Sequence, residues 1–324
     1  MTGSLDQWPA NVTFCSVNVA RVLFIAVSPL LRPRLRRFAA ITSVLAVTVG
    51  VTVAACSSSP SGSSSASYYL ALGDSLSQGV QPNAAGTSVE TAQGYPDLVY
   101  TSLQRDHSGL KLVRLGCPGE TTSTMMHGGI CHYQAGSQLA EAVSFLRAHR
   151  GHVRLVTIDI GANDPQDCGS QASFFAAAAC IGAVPKAATN LTAILAALRA
   201  AAGSGVRIVG MSYYLPELAE WRHGMLGHVT AWASERVAVS FNDLLGNAYA
   251  KAGIAVANVF GAFDTADFGD QQNVPGVGTV PKNVALICEW TWECTAPPRG
   301  PNQHANPAGY QVIATAILKA ANLS

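Results

Sequence analysis

The sequence predicts an α/β fold, a five-stranded parallel sheet covered by helices on both faces in a three-layer α/β/α sandwich. Two observations carry this expectation. Short apolar runs rich in branched and aromatic residues alternate with stretches of helical period, the pattern that right-handed crossovers build into a parallel sheet. The 324 residues are 49% hydrophobic and only 12% charged, enough apolar surface for one substantial core. No linker and no internal repeat interrupts the chain after residue 67, so residues 68–324 read as one domain.

The first strand is the run Tyr68–Leu72, which ends abruptly in Gly73-Asp74-Ser75-Leu76. Glycine turns sharply there, and the aspartate is able to bond its own backbone. Tyr95–Asp106 reads as a helix, with Leu98, Val99 and Leu103 at helical spacing and Pro96 in the first turn, where proline is tolerated. Leu110–Leu115 is the second strand. Gln138–His149 is an amphipathic helix with Leu139, Ala142, Val143 and Leu146 on one face. Val153–Ile160 is the third strand, and Asn190–Ala202 a helix stopped by Gly203. Val206–Met211 is the fourth strand, Glu217–Ala252 is mostly helical, and Ile254–Val259 is the fifth strand. Asn306-Pro307 opens the final helix as a cap followed by proline. Residues 261–300, rich in Gly, Pro, Trp and Cys, show no period and read as a long loop near the site.

The formal net charge of +1 mixes two regions. Residues 1–55 hold Arg21, Arg32, Arg34, Arg36 and Arg37 against one acid, Asp6, which leaves 15 basic and 18 acidic groups beyond them. That mildly acidic remainder gives no electrostatic case for nucleic acid. The basic cluster at Arg32–Arg37 precedes an uncharged apolar run, Phe38–Ala55, ending Val53-Ala54-Ala55-Cys56. A basic region, an apolar core and small residues before a cut define a secretory leader. The ending resembles a bacterial lipobox with Cys56 as the lipidated residue. An uncleaved membrane anchor is the alternative, since the run approaches spanning length; Cys56 and the linker behind it favour the leader. Either reading places the domain outside the cytoplasm, held to the outer face of the cell membrane or secreted. Residues 1–31 fit no part of a leader and suit an overlong translation start. Residues 56–67 form a serine-rich tether.

Ser75 falls at the C-terminal mouth of the first strand, where open parallel sheets place their ligand crevice. A serine capping a strand-to-helix turn is the plainer alternative. Three further stretches favour chemistry. The second strand runs into Gly116-Cys117-Pro118-Gly119, the third into Gly161-Ala162-Asn163-Asp164, and His304-Ala305-Asn306-Pro307 leads into the last helix. Together with Gly73-Asp74-Ser75-Leu76, these four stretches resemble the sequence blocks of the SGNH/GDSL hydrolase superfamily, over roughly residues 68–320. The resemblance is to secreted bacterial esterases and lipases of actinobacterial type, and it implies a flavodoxin-like sheet. It also implies Ser75 as nucleophile, His304 as base, and an oxyanion hole of the Ser75 N–H, the Gly116 N–H and the Asn163 amide. The chemistry needs such a set: a hydroxyl requires a base to take its proton, and the tetrahedral oxyanion requires preorganised donors. At Gly116 a side chain is expected to obstruct the substrate.

One position departs from the family. Its members usually carry aspartate three residues before the histidine, and that position here is Pro301. A Ser-His dyad is therefore expected, with the backbone carbonyl of Pro301 or Asn302 orienting the imidazole. Glu293 or Asp270 is the less favoured acid, and a degraded site the remaining alternative. Asp164 is expected to brace its loop, and Asp159 to be a paired structural acid. Trp290 and Trp292 suit loop packing at least as well as an acyl pocket.

With Cys15 and Cys56 set aside, six cysteines remain, an even number that implies disulfides in an exported domain and allows 15 connectivities. The family resemblance implies sequential pairing, Cys117–Cys131, Cys168–Cys180 and Cys288–Cys294. His107, His127, His132, His149, His152, His223 and His228 show no metal-ligand spacing, and no cofactor or metal is expected. No Gly-x-Ser-x-Gly is present, which argues against an α/β-hydrolase elbow. The expectation is a monomeric exported serine esterase or lipase acting on a lipid, an acylated glycan or a small ester. A cell-surface binding protein without turnover is the rival.

Overall fold

The computed structural model describes residues 66–164 and 183–323. The leader, the tether up to residue 65, Cys56 and the expected Cys168–Cys180 pair lie outside the described residues.

The chain opens with β1 (Ser67–Gly73), whose Tyr69, Leu70, Ala71 and Leu72 are wholly buried. A short hairpin, β2 (Gln81–Pro82) and β3 (Ser88–Val89), leads to α1 (Tyr95–Gln104) and β4 (Leu110–Arg114). Then come α2 (Thr122–His127), α3 (Gln138–Ala148), β5 (Val153–Asp159), α4 (Ala183–Ala202) and β6 (Arg207–Met211). A 3-10 stretch (Pro216–His223) precedes the long α5 (Gly224–Lys251), and β7 (Ala255–Ala257) and α6 (Val259–Ala262) follow. A second hairpin, β8 (Gln271–Val274) and β9 (Gly278–Pro281), then α7 (Lys282–Trp290) and α8 (Pro307–Ala320), complete the chain.

Five strands form one parallel sheet in the order β4-β1-β5-β6-β7. Helices α1 and α8 pack together, while α3, α4 and α5 pack in sequence, giving the expected three layers. The central strands β1, β5 and β6 are buried along most of their length, as parallel strands between helical layers must be. From β1 the chain steps outward to β4 and returns to β5 on the other side. That reversal opens a crevice at the C-terminal ends of β1 and β5, where side chains from both loops meet.

Several expectations need correction. Residues 261–300 are not one loop but hold the end of α6, the β8–β9 hairpin and α7. The signals were present: Val274-Pro275-Gly276-Val277 closes with a 3.0 Å bond from the Val277 N–H to the Val274 carbonyl, and Gly276 has φ +77°. That is proline then left-handed glycine in a turn. In α7 the buried residues Val284 and Ile287 sit at helical spacing, partly hidden in the sequence by flanking Pro, Cys and Trp. The mostly helical stretch expected over Glu217–Ala252 is present, first as a 3-10 helix and from Gly224, which has φ +72°, as an α-helix. The short helix α2 was not anticipated; Thr121 caps it by accepting from the Thr124 N–H. The cap expected at Asn306 is formed, its side chain accepting from the Ala308 and Gly309 N–H groups.

Candidate active site

Ser75 is set by the end of β1. Gly73 has φ +133°, and a Cβ there would lie 2.0 Å from the Asp159 carbonyl oxygen, so only glycine fits. Gln138, on α3, clamps the same peptide: the Gly73 N–H donates to Oε1 at 2.7 Å, and Nε2 donates to the Gly73 carbonyl at 2.9 Å. Ser75 occupies the cap position of a 3-10 turn (Leu76–Gln78), yet its side chain makes no capping bond. Asp74 does that work, accepting from the Leu76 N–H at 3.0 Å. The Ser75 hydroxyl is left to face His304, with Oγ 3.0 Å from Nε2.

His304 reaches that place from the approach to α8. Its carbonyl accepts from the Trp292 N–H at 3.1 Å, the Trp290 carbonyl accepts from the Asn306 N–H at 2.9 Å, and Thr291 bridges Ala305. A Cys288–Cys294 disulfide closes the stretch that His304 leans on, and Tyr214 donates to the Gln303 carbonyl at 2.9 Å.

The group that orients His304 differs from expectation. Nδ1 lies 2.8 Å from the side-chain Oδ1 of Asn302, and the contact is not with a backbone carbonyl of Pro301 or Asn302. The same Oδ1 lies 3.1 Å from the backbone N–H of His304. This is an Asx turn, a local habit of asparagine that places its oxygen over the amide two residues on. A backbone N–H only donates, so the atom facing it is the amide oxygen. Nδ1 must then carry a proton to meet that oxygen. Nε2 is left unprotonated, an acceptor pointed at the Ser75 hydroxyl. The Asn302 amide nitrogen donates to Ser88 Oγ at 3.0 Å, which fits the same orientation.

No carboxylate assists among the contacts of the described residues. Glu293 offers its backbone carbonyl to Arg222, and Asp270 offers its own to the Lys282 N–H. Burial pushes the His304 pKa down from 6.5 to about 4, with no charged partner to lift it.

The three expected oxyanion donors are placed as follows. Among the described residues neither the Ser75 N–H nor the Gly116 N–H has a hydrogen-bond acceptor. Asn163 Nδ2 donates one proton to the Glu120 carbonyl at 3.0 Å, leaving its second toward the crevice that the residue lines. Gly116 packs against the turn that follows Ser75, its carbonyl accepting from Gln78 Nε2 at 2.8 Å. A Cβ there would lie 1.8 Å from Ser77 Oγ and 3.2 Å from the Asp74 carbonyl. The obstruction expected against substrate is thus an obstruction against the nucleophile's own turn. Beside it a Cys117–Cys131 disulfide, with Cα atoms 6.0 Å apart, ties down the following loop.

Two acids lie beneath the serine. Asp74 accepts from the Tyr213 hydroxyl at 3.0 Å, and Asp159 from the Tyr95 hydroxyl. The two carboxyl groups also hydrogen-bond each other. Burial raises both pKa values, and the charge of Asp74 raises that of Asp159 further, so the pair shares a proton. Asp164 braces the neighbouring loop, accepting from the Thr122 N–H at 2.8 Å and from the Thr122 hydroxyl.

Ser75, Asn163 and His304 line one crevice of about 70 Å³. Its walls are mostly apolar, from Leu76, Ala162, Tyr213, Leu215, Ala238 and Phe241. Trp290 and Trp292 are not among the lining residues; Trp290 stands edge-on to Phe263 at 5.1 Å, and Arg299 lies over the Trp292 ring. Tyr213 and Phe241 went unnoticed in the sequence, as did the side-chain roles of Gln138 and Asn302. Only Tyr213 carried a signal, its place just beyond the fourth strand.

An open parallel sheet with a serine, a histidine and an asparagine converging at its strand ends defines a hydrolase class. The GDSL-like lipase/acylhydrolase family profile matches residues 71–312, and the chain belongs to that family. A GDSL-like lipase fold from Parabacteroides merdae superposes with a TM-score of 0.52 at 15% identity, covering 80% of this chain and 96% of that one. An extracellular lipase from Streptomyces rimosus gives 0.48 at 21% identity, covering 79% and 100%. An acetylxylan esterase from Geobacillus stearothermophilus gives 0.47 at 15% identity, covering 80% and 95%. Comparison with proteins of curated function gives no match.

Proposed function

We propose that the chain is an exported serine esterase that works through an acyl-Ser75 intermediate. The observation that carries this reading is the 3.0 Å approach of Ser75 Oγ to His304 Nε2, with the tautomer set by Asn302. In the proposed cycle Ser75 Oγ attacks the ester carbonyl carbon and gives its proton to Nε2. The oxyanion forms against the Ser75 N–H, the Gly116 N–H and the Asn163 amide. Collapse breaks the bond to the alcohol, which leaves with the proton from His304. Water then attacks the acyl carbon, its proton passing to Nε2, and the second collapse frees the carboxylic acid and restores the Ser75 hydroxyl.

The apolar crevice suits an acyl chain better than a charged one. A binding protein without turnover was favoured only by Pro301, and Asn302 supplies the acceptor that position lacks. Export is supported by the leader and by the two disulfides, bonds that persist in oxidising compartments. Lipidation at Cys56 rests on the Val53-Ala54-Ala55-Cys56 motif alone. Mass spectrometry of the mature N-terminus tests it, and a start at any other residue refutes it. The hydrolase reading is tested by assaying p-nitrophenyl acetate, butyrate and longer esters with the parent chain and Ser75→Ala. Turnover that survives in the variant would reject it.

A further inference from the structure

Helix α5 carries an apolar face that the domain does not cover. Met225 and Leu226 are each 82% exposed, Val229 is 60% exposed and Trp232 is 54% exposed. At helical spacing Met225, Val229 and Trp232 share one stripe with Leu226 beside it, opposite the buried stripe of Gly227, Ala231 and Ser234. Farther along the outer face the residues turn polar, through Arg236, Ser240, Asp243 and Asn247, as a solvated helix should. Among the described residues the other large exposed apolar side chains, Val89, Ile130 and Leu244, stand apart from this patch. A contiguous patch of this kind marks a contact surface.

Its position links it to the crevice. Twenty-eight residues make α5 about 42 Å long. A strand of seven residues spans only about 23 Å. Because the last turn of α5 feeds β7 at the far end of the sheet, the excess length projects at the crevice end. The patch occupies that projecting end, and two turns farther on Ala238 and Phe241 wall the crevice.

We propose that this face of α5 docks on a lipid bilayer, setting the crevice against acyl-ester lipids in its surface. The chemistry fits an interface. Trp232 lies under the Arg236 guanidinium at 5.1 Å, a pairing of aromatic and cationic groups suited to the headgroup level, and His228 stacks on the Trp221 ring at 4.1 Å. No acid occurs from Gly224 to Ser234, and the flanking Glu220 and Glu235 are paired with His223 and Arg236. A lipidated Cys56 on a short tether would keep a bilayer within reach. The docking does not depend on turnover, but the choice of lipid esters as substrate rests on the hydrolase reading above.

The test uses the full chain with phosphatidylcholine vesicles containing dibrominated phosphatidylcholine, in which every variant keeps the same leader and tether. Bromolipid should quench the Trp232 part of the fluorescence, seen as quenching lost in Trp232→Phe, and Met225→Glu/Leu226→Glu should remove it as well. The same double variant should hydrolyse vesicle-borne ester at least about tenfold more slowly, for the loss of two buried apolar side chains. Its rate on soluble p-nitrophenyl acetate should stay within about twofold, which also shows that it folds. Equal quenching in the parent chain and in folded Trp232→Phe would overturn the proposal. A dimer in sedimentation that Met225→Glu/Leu226→Glu dissolves would overturn it in favour of a second copy. Quenching at Trp232 with no ester hydrolysed would uphold the docking and refute the hydrolase reading.

Discussion

The side-chain oxygen of Asn302 lies 2.8 Å from His304 Nδ1 and 3.1 Å from the backbone N–H of the same histidine. One atom thus accepts from two groups, and the backbone partner leaves no freedom in which end of the amide faces the ring. The tautomer is fixed by a neutral group placed two residues before the base, in a chain that has proline where its family usually has aspartate.

Asn302→Leu should therefore lower kcat by about 10²–10⁴, the upper end being the precedent for an imidazole in the wrong tautomer. Asn302→Asp keeps the oxygen and should keep most activity. Steady-state kinetics on a soluble ester separates the two, and equal losses in both would show that the contact is incidental. Glu293→Gln and Asp270→Asn should each leave kcat within about fivefold, because neither acid touches His304.

The pH profile follows from burial of His304. With a pKa near 4, the imidazole stays neutral and able to accept a proton well below 6.5. The acid limb of kcat/KM should lie near pH 4, and Asn302→Asp should move it upward by adding a charge that favours imidazolium. The linked stability has a definite sign. The unfolded chain takes up the proton at about 6.5 and the folded chain only near 4, so this residue's contribution is present above 6.5 and lost as pH falls between them. Urea titrations of the parent chain and His304→Gln should diverge across that window.

Gly116→Ala should destabilise the fold by more than about 1 kcal/mol, because the added carbon meets Ser77 Oγ at 1.8 Å. Removing that hydroxyl in Ser77→Gly should relieve much of the cost. Additive effects in the double variant would mean that the glycine is required for another reason.

Asp159→Asn should fold and remain active, since an amide N–H can take the place of the proton the two carboxyl groups share. Asp159→Leu should be markedly worse, leaving Asp74 and the Tyr95 hydroxyl without their partner. The raised carboxyl pKa values cost stability at high pH, a cost that shrinks as pH falls through them. Asp159→Asn should flatten the alkaline side of the stability curve, and an unchanged curve would contradict the shared proton.

What the sequence made legible follows from what each feature depends on. The alternation of strands and helices, and the residues at strand ends, depend on local pattern and topology. So Ser75, Asn163 and His304 were singled out and prove to share one crevice. Asn302 was noticed only for its backbone carbonyl, because an Asx turn and a carbonyl contact look alike until the chain direction is known. Gln138 reads as one polar residue at the start of an amphipathic helix; its clamp on Gly73, 65 residues away, depends on how α3 packs. The outward stripe of α5 was hidden for the opposite reason, since apolar residues at helical spacing ordinarily mean core.

The central claim is that Ser75 is a nucleophile activated by His304. The direct measurement is labelling with an alkyl fluorophosphonate followed by peptide mapping. The account predicts one phosphonyl group per chain, on Ser75, with labelling lost in Ser75→Ala and slowed by about 10³ or more in His304→Ala. A label on any other residue, or undiminished labelling in Ser75→Ala, would contradict it.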